Sequence, residues 1–275
     1  MIILNTNTLN FITKYQLFKN DTIQQMQLQH RLDLVDSFQI RQGMRVLEVG
    51  CGQGDTTMAL ADAVGIHGSI TAIDIASPDY GAPFTLGQAA ELIKNSSLGE
   101  RIQFRFETNF MDFEPEAVYD AVVLSHCSWY FKNPQDLLAY FHKIKLVAKR
   151  ICFAEWDLDF TSITQRAHFC AASILALYSN LTEDDGNIQN LFHKKQIEVF
   201  LHDAGFEVIQ NTVVNASYLQ DGQWEQDYAN SIRSDFSKAP PMLQVLANSY
   251  YELMNADAEH QSSLNSFVLC ARPSN

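Results

Sequence analysis

The chain alternates between short apolar runs and longer segments in which apolar residues recur with the period of a helix. Five of the runs have the length and composition of buried strands, and helical segments separate them. This alternation is typical of an α/β fold with a doubly wound, mostly parallel sheet. Two further apolar runs predict strands later in the chain. The seven predicted strands cover residues 46–49, 69–75, 102–107, 119–125, 150–155, 206–216 and 266–271.

Several predicted helices begin at recognisable capping residues. Asp21 or Thr22 can cap a helix that runs to about Phe38, and Asn133 can cap another just before a proline. Thr85 and Gln88 have the spacing of a capping box, in which each side chain bonds the other residue's backbone N–H. These local signals place helices between the predicted strands.

Two segments exceed what such a core needs. Residues 156–192 contain an apolar helix rich in small residues, and residues 217–264 contain two helical patterns where a hairpin would suffice. Loops of this length carry structure and often function, so we expect helical cap insertions over the ligand side. The predicted division is an N-terminal helical segment (1–42), a ligand-binding core (43–155), a first insertion (156–192), a core helix with the sixth strand (193–216), a second insertion (217–264), and the last strand with its tail (265–275).

A glycine-rich turn follows the first strand, in the sequence V-L-E-V-G-C-G-Q-G-D at 46–55. Gly50, Gly52 and Gly54 allow positive φ angles and a close approach of the backbone to a ligand. The helix that follows offers unpaired N–H groups to an anion. Glu48 is an acid at the end of an otherwise apolar strand, where it is costly without a partner. A ligand ammonium group near the turn would suit it.

Asp74 ends the second strand, 20 residues after Gly54 (74 − 54). At this spacing an acid hydrogen-bonds ribose hydroxyls in nucleotide-binding folds. The glycines are spaced Gly-x-Gly-x-Gly, which counts against a nicotinamide or flavin cofactor. The sequence E-V-G-C-G-Q-G followed by A-I-D-I resembles the class I S-adenosylmethionine-dependent methyltransferases. The resemblance implies a Rossmann-like fold with a sixth strand and an antiparallel seventh, and S-adenosyl-L-methionine as the cofactor.

The resemblance also implies roles for individual residues. Glu48 would face the cofactor's amino group, Asp74 would bind the ribose, and Ile75 would pack on the adenine. The loop E-T-N-F-M-D-F after the third strand would hold the adenine edge through Asn109 and the Phe110 N–H, with Asp112 as the rival. The remaining predicted cofactor-binding residues are Gly50, Cys51, Gly52 and Gly54 around the methionine portion, Ser125 after the fourth strand, and Arg31 on the N-terminal helix. For Arg31 and its neighbour His30, a solvated helix face is an equal alternative.

A sulfonium methyl group is already electrophilic, so positioning and exclusion of water can suffice for transfer. His126, directly after the fourth strand, is the natural candidate for a general base, with hydrogen-bonded packing as the alternative. Glu155 ends the fifth strand and is a second candidate, against a capping role. Adjacent strand ends lie close together, so Glu155 is expected to contact His126 and to raise its pKa. Trp129 to Phe131 are candidates for substrate walls, or for the core.

The net charge and the cysteine content limit which partners and metal sites are expected. A formal net charge of −13 disfavours nucleic acids and anionic membrane surfaces. The five cysteines are scattered without zinc-ligand spacing, so no metal site is predicted. The N-terminus does not read as a signal peptide, and no apolar run reaches the ~20 residues of a membrane span. We therefore expect a cytoplasmic protein without integral membrane association; its oligomeric state is open, with a homodimer as one option.

The favoured function is methyl transfer to a small-molecule or lipid-like acceptor. The G-C-G motif and the helix before it also resemble cyclopropane-fatty-acid synthases, which would imply methylene transfer to a lipid. Those enzymes carry a Glu-His pair after the fourth strand, whereas this chain reads Ser-His-Cys-Ser-Trp at 125–129. A non-catalytic protein that binds S-adenosylmethionine is the alternative from another class, because binding and transfer need different residues.

Overall fold

A computed structural model of the protein describes residues 4–182, 188–256 and 261–274. Within these residues, seven strands form one sheet in the order β3-β2-β1-β4-β5-β7-β6. Strand β7 runs antiparallel to β5 and β6, and the other pairs are parallel. The predicted α/β, doubly wound, mostly parallel sheet is confirmed. The strands are β1 (Arg45–Val49), β2 (Ser69–Ile73), β3 (Ile102–Arg105), β4 (Ala121–Ser125), β5 (Ile151–Trp156), β6 (Phe206–Val214) and β7 (Ser266–Pro273).

Nine α-helices lie in the described part of the chain. Those predicted from capping residues begin as expected: the Asp21 side chain accepts from the Gln24 N–H, and Thr85 with Gln88 forms the predicted capping box. The first helix is capped by Asn5 and has no separate counterpart among the predicted elements. The helices are α1 (Thr6–Tyr15), α2 (Thr22–Ser37), α3 (Asp55–Val64), α4 (Leu86–Lys94), α5 (Pro134–Val147), α6 (Arg166–Ser179), α7 (Lys194–Asp203), α8 (Asp221–Ser231) and α9 (Pro241–Asn255).

The polar side of α2 faces the protein. Gln27, Gln29 and His30 are all buried. Each has a polar partner: the Gln27 amide donates to Asp221 at 2.6 Å, Gln29 accepts from the Asn5 N–H at 2.7 Å, and His30 contacts a serine of β7. A solvated face is therefore the wrong interpretation for His30. Polar groups are stable in this position because the neighbouring elements supply hydrogen bonds.

The two insertions pack against each other. Helix α6 of the first insertion contacts α8 and α9 of the second. The Tyr251 hydroxyl of α9 donates to the Ala229 carbonyl of α8 at 2.6 Å, and the Tyr178 hydroxyl of α6 donates to Asp235 at 3.2 Å. The expected helical cap insertions are confirmed as elements of the fold, while the division of the chain into six segments stays a prediction. No helix among the described residues is both long and apolar enough to cross a membrane.

Candidate active site

The glycine turn connects β1 to α3 at the carboxyl end of the sheet. Gly50, Gly52 and Gly54 have φ angles of +75°, +51° and +90°, a region that favours glycine. A Cβ at Gly50 would lie 2.7 Å from the Cys127 Cβ, and one at Gly54 would lie 2.6 Å from the Ile93 Cδ1. A Cβ at Gly52 would meet no protein atom within 4 Å. An added Cβ at Gly50 or Gly54 would be crowded by neighbouring side chains. The space beside Gly52 contains no protein atom within 4 Å.

Asp74 lies against this turn. Its carboxylate accepts from the Gly52 N–H at 2.8 Å and from the Ala76 N–H at 2.9 Å. The strand β2 ends at Ile73, so Asp74 and Ile75 belong to the loop that follows it, and Ile75 is 68% exposed. The structure therefore brings together the glycine turn and the acid that the sequence places 20 residues further on. The exposed apolar side chain of Ile75 follows Asp74 in the same loop.

Glu48 is buried at the end of β1, with 2% of its surface exposed. The Thr57 hydroxyl of α3 donates to its Oε2. Burial raises the pKa of the Glu48 carboxyl to about 8, although the Thr57 bond and the charge of Arg31 act in the opposite direction. Nearby Asp55 and Asp74 raise this pKa slightly further. Near neutral pH the carboxyl of the free protein is therefore largely protonated, unless a cation approaches it.

His126 connects α2 to the strand ends. Its Nδ1 lies 2.9 Å from Arg31 Nη1 and 3.2 Å from Ser125 Oγ, and its Nε2 lies 2.8 Å from Ser266 Oγ. The same Ser266 Oγ lies 3.0 Å from His30 Nε2. Burial, followed by the charge of Arg31, lowers the pKa of His126 well below its usual range.

The prediction that Glu155 contacts His126 is wrong, because among the described residues the Glu155 carboxyl has other partners. Glu155 is fully buried, and its Oε2 accepts from the Ser128 N–H at 3.1 Å and the Ser128 hydroxyl at 2.7 Å. Its Oε1 accepts from the Trp156 N–H at 3.1 Å. Burial raises the pKa of Glu155 to about 7. The Glu155 carboxyl therefore holds the turn after β4 in place. Burial and the Arg31 cation lower the pKa of the His126 imidazole, whereas the sequence predicts that Glu155 raises it.

The turn after β4 exposes one of its three aromatic residues. Trp129 is 2% exposed and belongs to the core, and Phe131 packs edge-on against Tyr140. Tyr130 is 56% exposed, yet Glu225 and Asp221 of α8 act on it electrostatically from the cap, and burial raises the pKa of its hydroxyl. Tyr130 is the most exposed of the three and stays the candidate for a substrate wall.

The loop after β3 is fixed by its own contacts. Asn109 Oδ1 accepts from the Met111 N–H at 2.9 Å and from the Tyr140 hydroxyl at 3.3 Å. Phe110 is 1% exposed and packs on Tyr140, while Asp112 is exposed. Both Asn109 and Phe110 lie beyond the carboxyl end of β3, as predicted, and their contact with an adenine ring stays a prediction.

Three further residues join the site from distant parts of the chain. Trp156 at the end of β5 packs edge-on against His126, with ring centroids 4.7 Å apart, and against His168 of α6 at 5.0 Å. Ser266 begins β7. Ser266 and His168 follow no motif in the sequence, because they reach the site only through the antiparallel strand and the insertion. A search for motifs therefore has no signal by which to find them.

Comparison with known proteins identifies a protein family whose sequences resemble this chain. A family model for the methyltransferase domain matches residues 23–211. Methyltransferase phomM' of Diaporthe leptostromiformis is 34% identical over 156 residues, which cover 49% of this chain and 40% of that protein. The chain thus spans less than half the length of that relative and of the closely similar phomM.

Solved structures extend the likeness to nearly the whole chain. A cyclopropane-fatty-acyl-phospholipid synthase-like protein from Lactobacillus casei is 34% identical with a TM-score of 0.82, over 91% of this chain and 92% of that chain. The [4+2]-cyclase SpnF is 17% identical with a TM-score of 0.55, over 98% of this chain and 93% of that chain, and shows the fold alone. The family match covers well over half of the sequence and includes the glycine turn. The chain therefore belongs to the methyltransferase-domain family.

Proposed function

We propose that the protein binds S-adenosylmethionine at the carboxyl ends of β1, β2 and β4 and transfers its methyl group to a small-molecule or lipid-like acceptor. The observation that carries this proposal is the environment of Gly52. Its N–H is held by Asp74, and the space that a side chain would occupy contains no protein atom within 4 Å. The backbone here is open to a ligand beside an acid that suits ribose hydroxyls.

The residues around the turn fit the methionine end of this cofactor. Glu48 is an acid whose proton would leave when an ammonium group approaches, because an adjacent cation favours the charged carboxylate. Arg31 suits the cofactor's carboxylate: its Nε is buried without a hydrogen-bond partner among the described residues. Gly50, Cys51, Gly52 and Gly54 would line this end, with Ser125 opposite them on β4.

The other end of the site suits a nucleoside. Asp74 would accept hydrogen bonds from the ribose hydroxyls in addition to those from Gly52 and Ala76, since a carboxylate has about four lone-pair sites. The exposed Ile75 side chain would pack on the adenine face. Asn109 and the Phe110 N–H are the proposed contacts for the adenine edge.

When bound, the cofactor supplies a methyl group made electrophilic by its sulfonium sulfur. The chain has to orient the acceptor and exclude water. Trp156, which is 5% exposed, and the cap helices α6 and α8 are placed to do so. A base role for His126 or Glu155 stays a prediction, and the contacts that both groups already make in the free protein favour positioning over proton removal.

The acceptor cleft is proposed to lie beside Tyr130, between the β4 turn and α8. Glu225, Glu155 and Asp221 all act electrostatically on the Tyr130 hydroxyl. Two of these carboxyl groups, those of Glu225 and Asp221, lie on α8, and carboxylates on this side disfavour an anionic acceptor because like charges repel. The proposed acceptor is therefore neutral or cationic where it meets this wall.

Methylene transfer to an unsaturated lipid is the second candidate, favoured by the likeness to the Lactobacillus casei protein. Cofactor labelled in its methyl group, incubated either with a small-molecule extract or with unsaturated phospholipid vesicles, separates the candidates. We expect label in the small-molecule fraction, and less of it with Asp74→Ala when the cofactor concentration is near the parent's dissociation constant. Label in vesicle lipid as a methylene bridge would support the second candidate instead. Cofactor binding without label in either fraction would indicate a binding protein.

A further inference from the structure

Three hydrogen-bond contacts link Arg31 of α2, through His126 and Ser266, to His30 of the same helix. Arg31 Nη1 lies 2.9 Å from His126 Nδ1, His126 Nε2 lies 2.8 Å from Ser266 Oγ, and Ser266 Oγ lies 3.0 Å from His30 Nε2. The members come from α2, the end of β4 and the start of β7. Ser266 and His30 are fully buried, so their polar atoms depend on one another for partners.

The contact with Arg31 decides which ring nitrogen of His126 carries the hydrogen. A guanidinium only donates, so Arg31 makes His126 Nδ1 an acceptor. The neutral imidazole then carries its hydrogen on Nε2 and donates it to Ser266 Oγ. Ser266 Oγ then has a hydrogen and a second lone pair left, so it can either donate to His30 Nε2 or accept from it. A second proton on His126 would have to sit on Nδ1, facing the Arg31 cation, so the free lone pair that a general base needs is already in use.

The backbone also fixes the imidazole. His126 has a φ of +52°, a left-handed conformation that few residues other than glycine adopt, although histidine does so more often than most. The His126 N–H donates to the Ala154 carbonyl of β5 at 2.9 Å, which holds this conformation in place. Strained conformations of this kind persist where the surroundings determine them and concentrate at functional sites.

Arg31 gains its orientation from this arrangement. Within the described ranges it forms no ion pair with a carboxylate, and its Nε is buried without a hydrogen-bond partner. His126 is followed by Cys127, whose Sγ donates to the Val49 carbonyl at 3.4 Å, just before the glycine turn, so the Arg31 guanidinium that contacts His126 lies on this side of the sheet. The contact with His126 Nδ1 is a hydrogen bond that directs it there.

We propose that His126 is a positioning residue: it holds the Arg31 guanidinium toward the carboxylate of the cofactor, while Ser266 accepts a hydrogen bond from its other ring nitrogen. This role rests on the proposed function. It gives His126 a part in cofactor affinity and none in removing a proton from the acceptor.

Two amide substitutions separate this role from that of a base. His126→Asn places an amide oxygen near the position of Nδ1 and suits the left-handed backbone, so Arg31 keeps an acceptor. His126→Gln places its amide near Nε2, keeping a group for Ser266 and leaving Arg31 without its acceptor. By calorimetric titration with S-adenosylmethionine, we expect His126→Asn to bind within about threefold of the parent and His126→Gln to bind about 10- to 100-fold more weakly, the usual worth of a charge-assisted hydrogen bond.

A double-mutant cycle with Arg31 distinguishes a positioning role of His126 from a purely structural one. In an Arg31→Met background the two His126 variants should bind the cofactor equally, because no guanidinium remains to be positioned. The proposal would be overturned by equal affinities of parent, Asn and Gln variants, by a difference that persists without Arg31, or by a turnover loss of ~10²-fold or more in His126→Asn at saturating cofactor, the signature of a lost base. If the parent itself binds no S-adenosylmethionine, the proposed function fails first.

Discussion

Replacing Glu48 by glutamine should stabilise the free protein increasingly as pH rises. Glu48 is 2% exposed, and burial raises the pKa of its carboxyl from 4.5 to about 8. Glutamine has nearly the same shape, and its amide oxygen can still accept from the Thr57 hydroxyl. The substitution therefore removes a buried titratable group while leaving the packing of β1 against α3 intact.

The sign and size of the effect follow from proton linkage. Between the unfolded and folded pKa values, the folded protein holds about one proton more at Glu48 than the unfolded chain. The contribution of this group to stability is thus greatest below the unfolded pKa and is lost as pH rises toward about 8. Each pH unit in this window costs about 1.4 kcal/mol, so the interval from about pH 5 to about pH 7.5 costs about 3 kcal/mol. Glutamine does not titrate and avoids this cost.

Urea denaturation of the parent and Glu48→Gln at several pH values measures the effect directly. The difference in unfolding free energy between the two should change by about 3 kcal/mol in favour of the variant across that interval, because the other titratable groups cancel. Glu116→Gln, at an exposed position, is the matched control for the loss of one carboxyl group. A constant difference between parent and Glu48→Gln would refute the reasoning about a buried, protonated acid.

Three further predictions concern the site. Asp74→Ala should weaken S-adenosylmethionine binding by roughly 1.5–3 kcal/mol, since charge-assisted hydrogen bonds to the ribose are lost; calorimetry showing parent-like affinity would remove Asp74 from the nucleoside site. Gly52→Val should abolish cofactor binding while the sheet still forms, because an added Cβ meets no protein atom within 4 Å and the strain at a φ of +51° is confined to the turn; tight binding by this folded variant would contradict the open turn. Cofactor with a verified acceptor should slow amide hydrogen exchange in α6 and α8, and unchanged exchange in both would exclude the cap from the mechanism.

The features that the sequence predicts well are those set by neighbouring residues. Capping by Asp21 and by Thr85 with Gln88 depends on contacts three residues apart, and the observed bonds match. The glycine turn and Asp74 meet because consecutive parallel strands end at one edge of a sheet. Strand lengths are less certain: β2 ends at Ile73, since the chain after it turns to carry the Asp74 carboxylate to the Gly52 N–H.

The features that the sequence does not predict depend on contacts between distant elements. Adjacent strand ends suggest that His126 meets Glu155, and Ser125 does pair with Ala154 in register. His126 then turns into a left-handed conformation, which carries its imidazole to Arg31 and Ser266 and away from the strand ladder. The buried polar side of α2 has a similar cause, because its partner Asp221 lies 194 residues further along the chain.

Calorimetric titration of the parent protein tests the central claim most directly. The protein should bind S-adenosylmethionine and its demethylated product with dissociation constants in the micromolar range, about −8 kcal/mol. Near neutral pH, binding of S-adenosylmethionine should also release a proton, visible as a dependence of the heat on the buffer, because the ammonium group favours the charged form of Glu48. Clear binding of a nicotinamide dinucleotide with no heat from either sulfur compound would contradict the account.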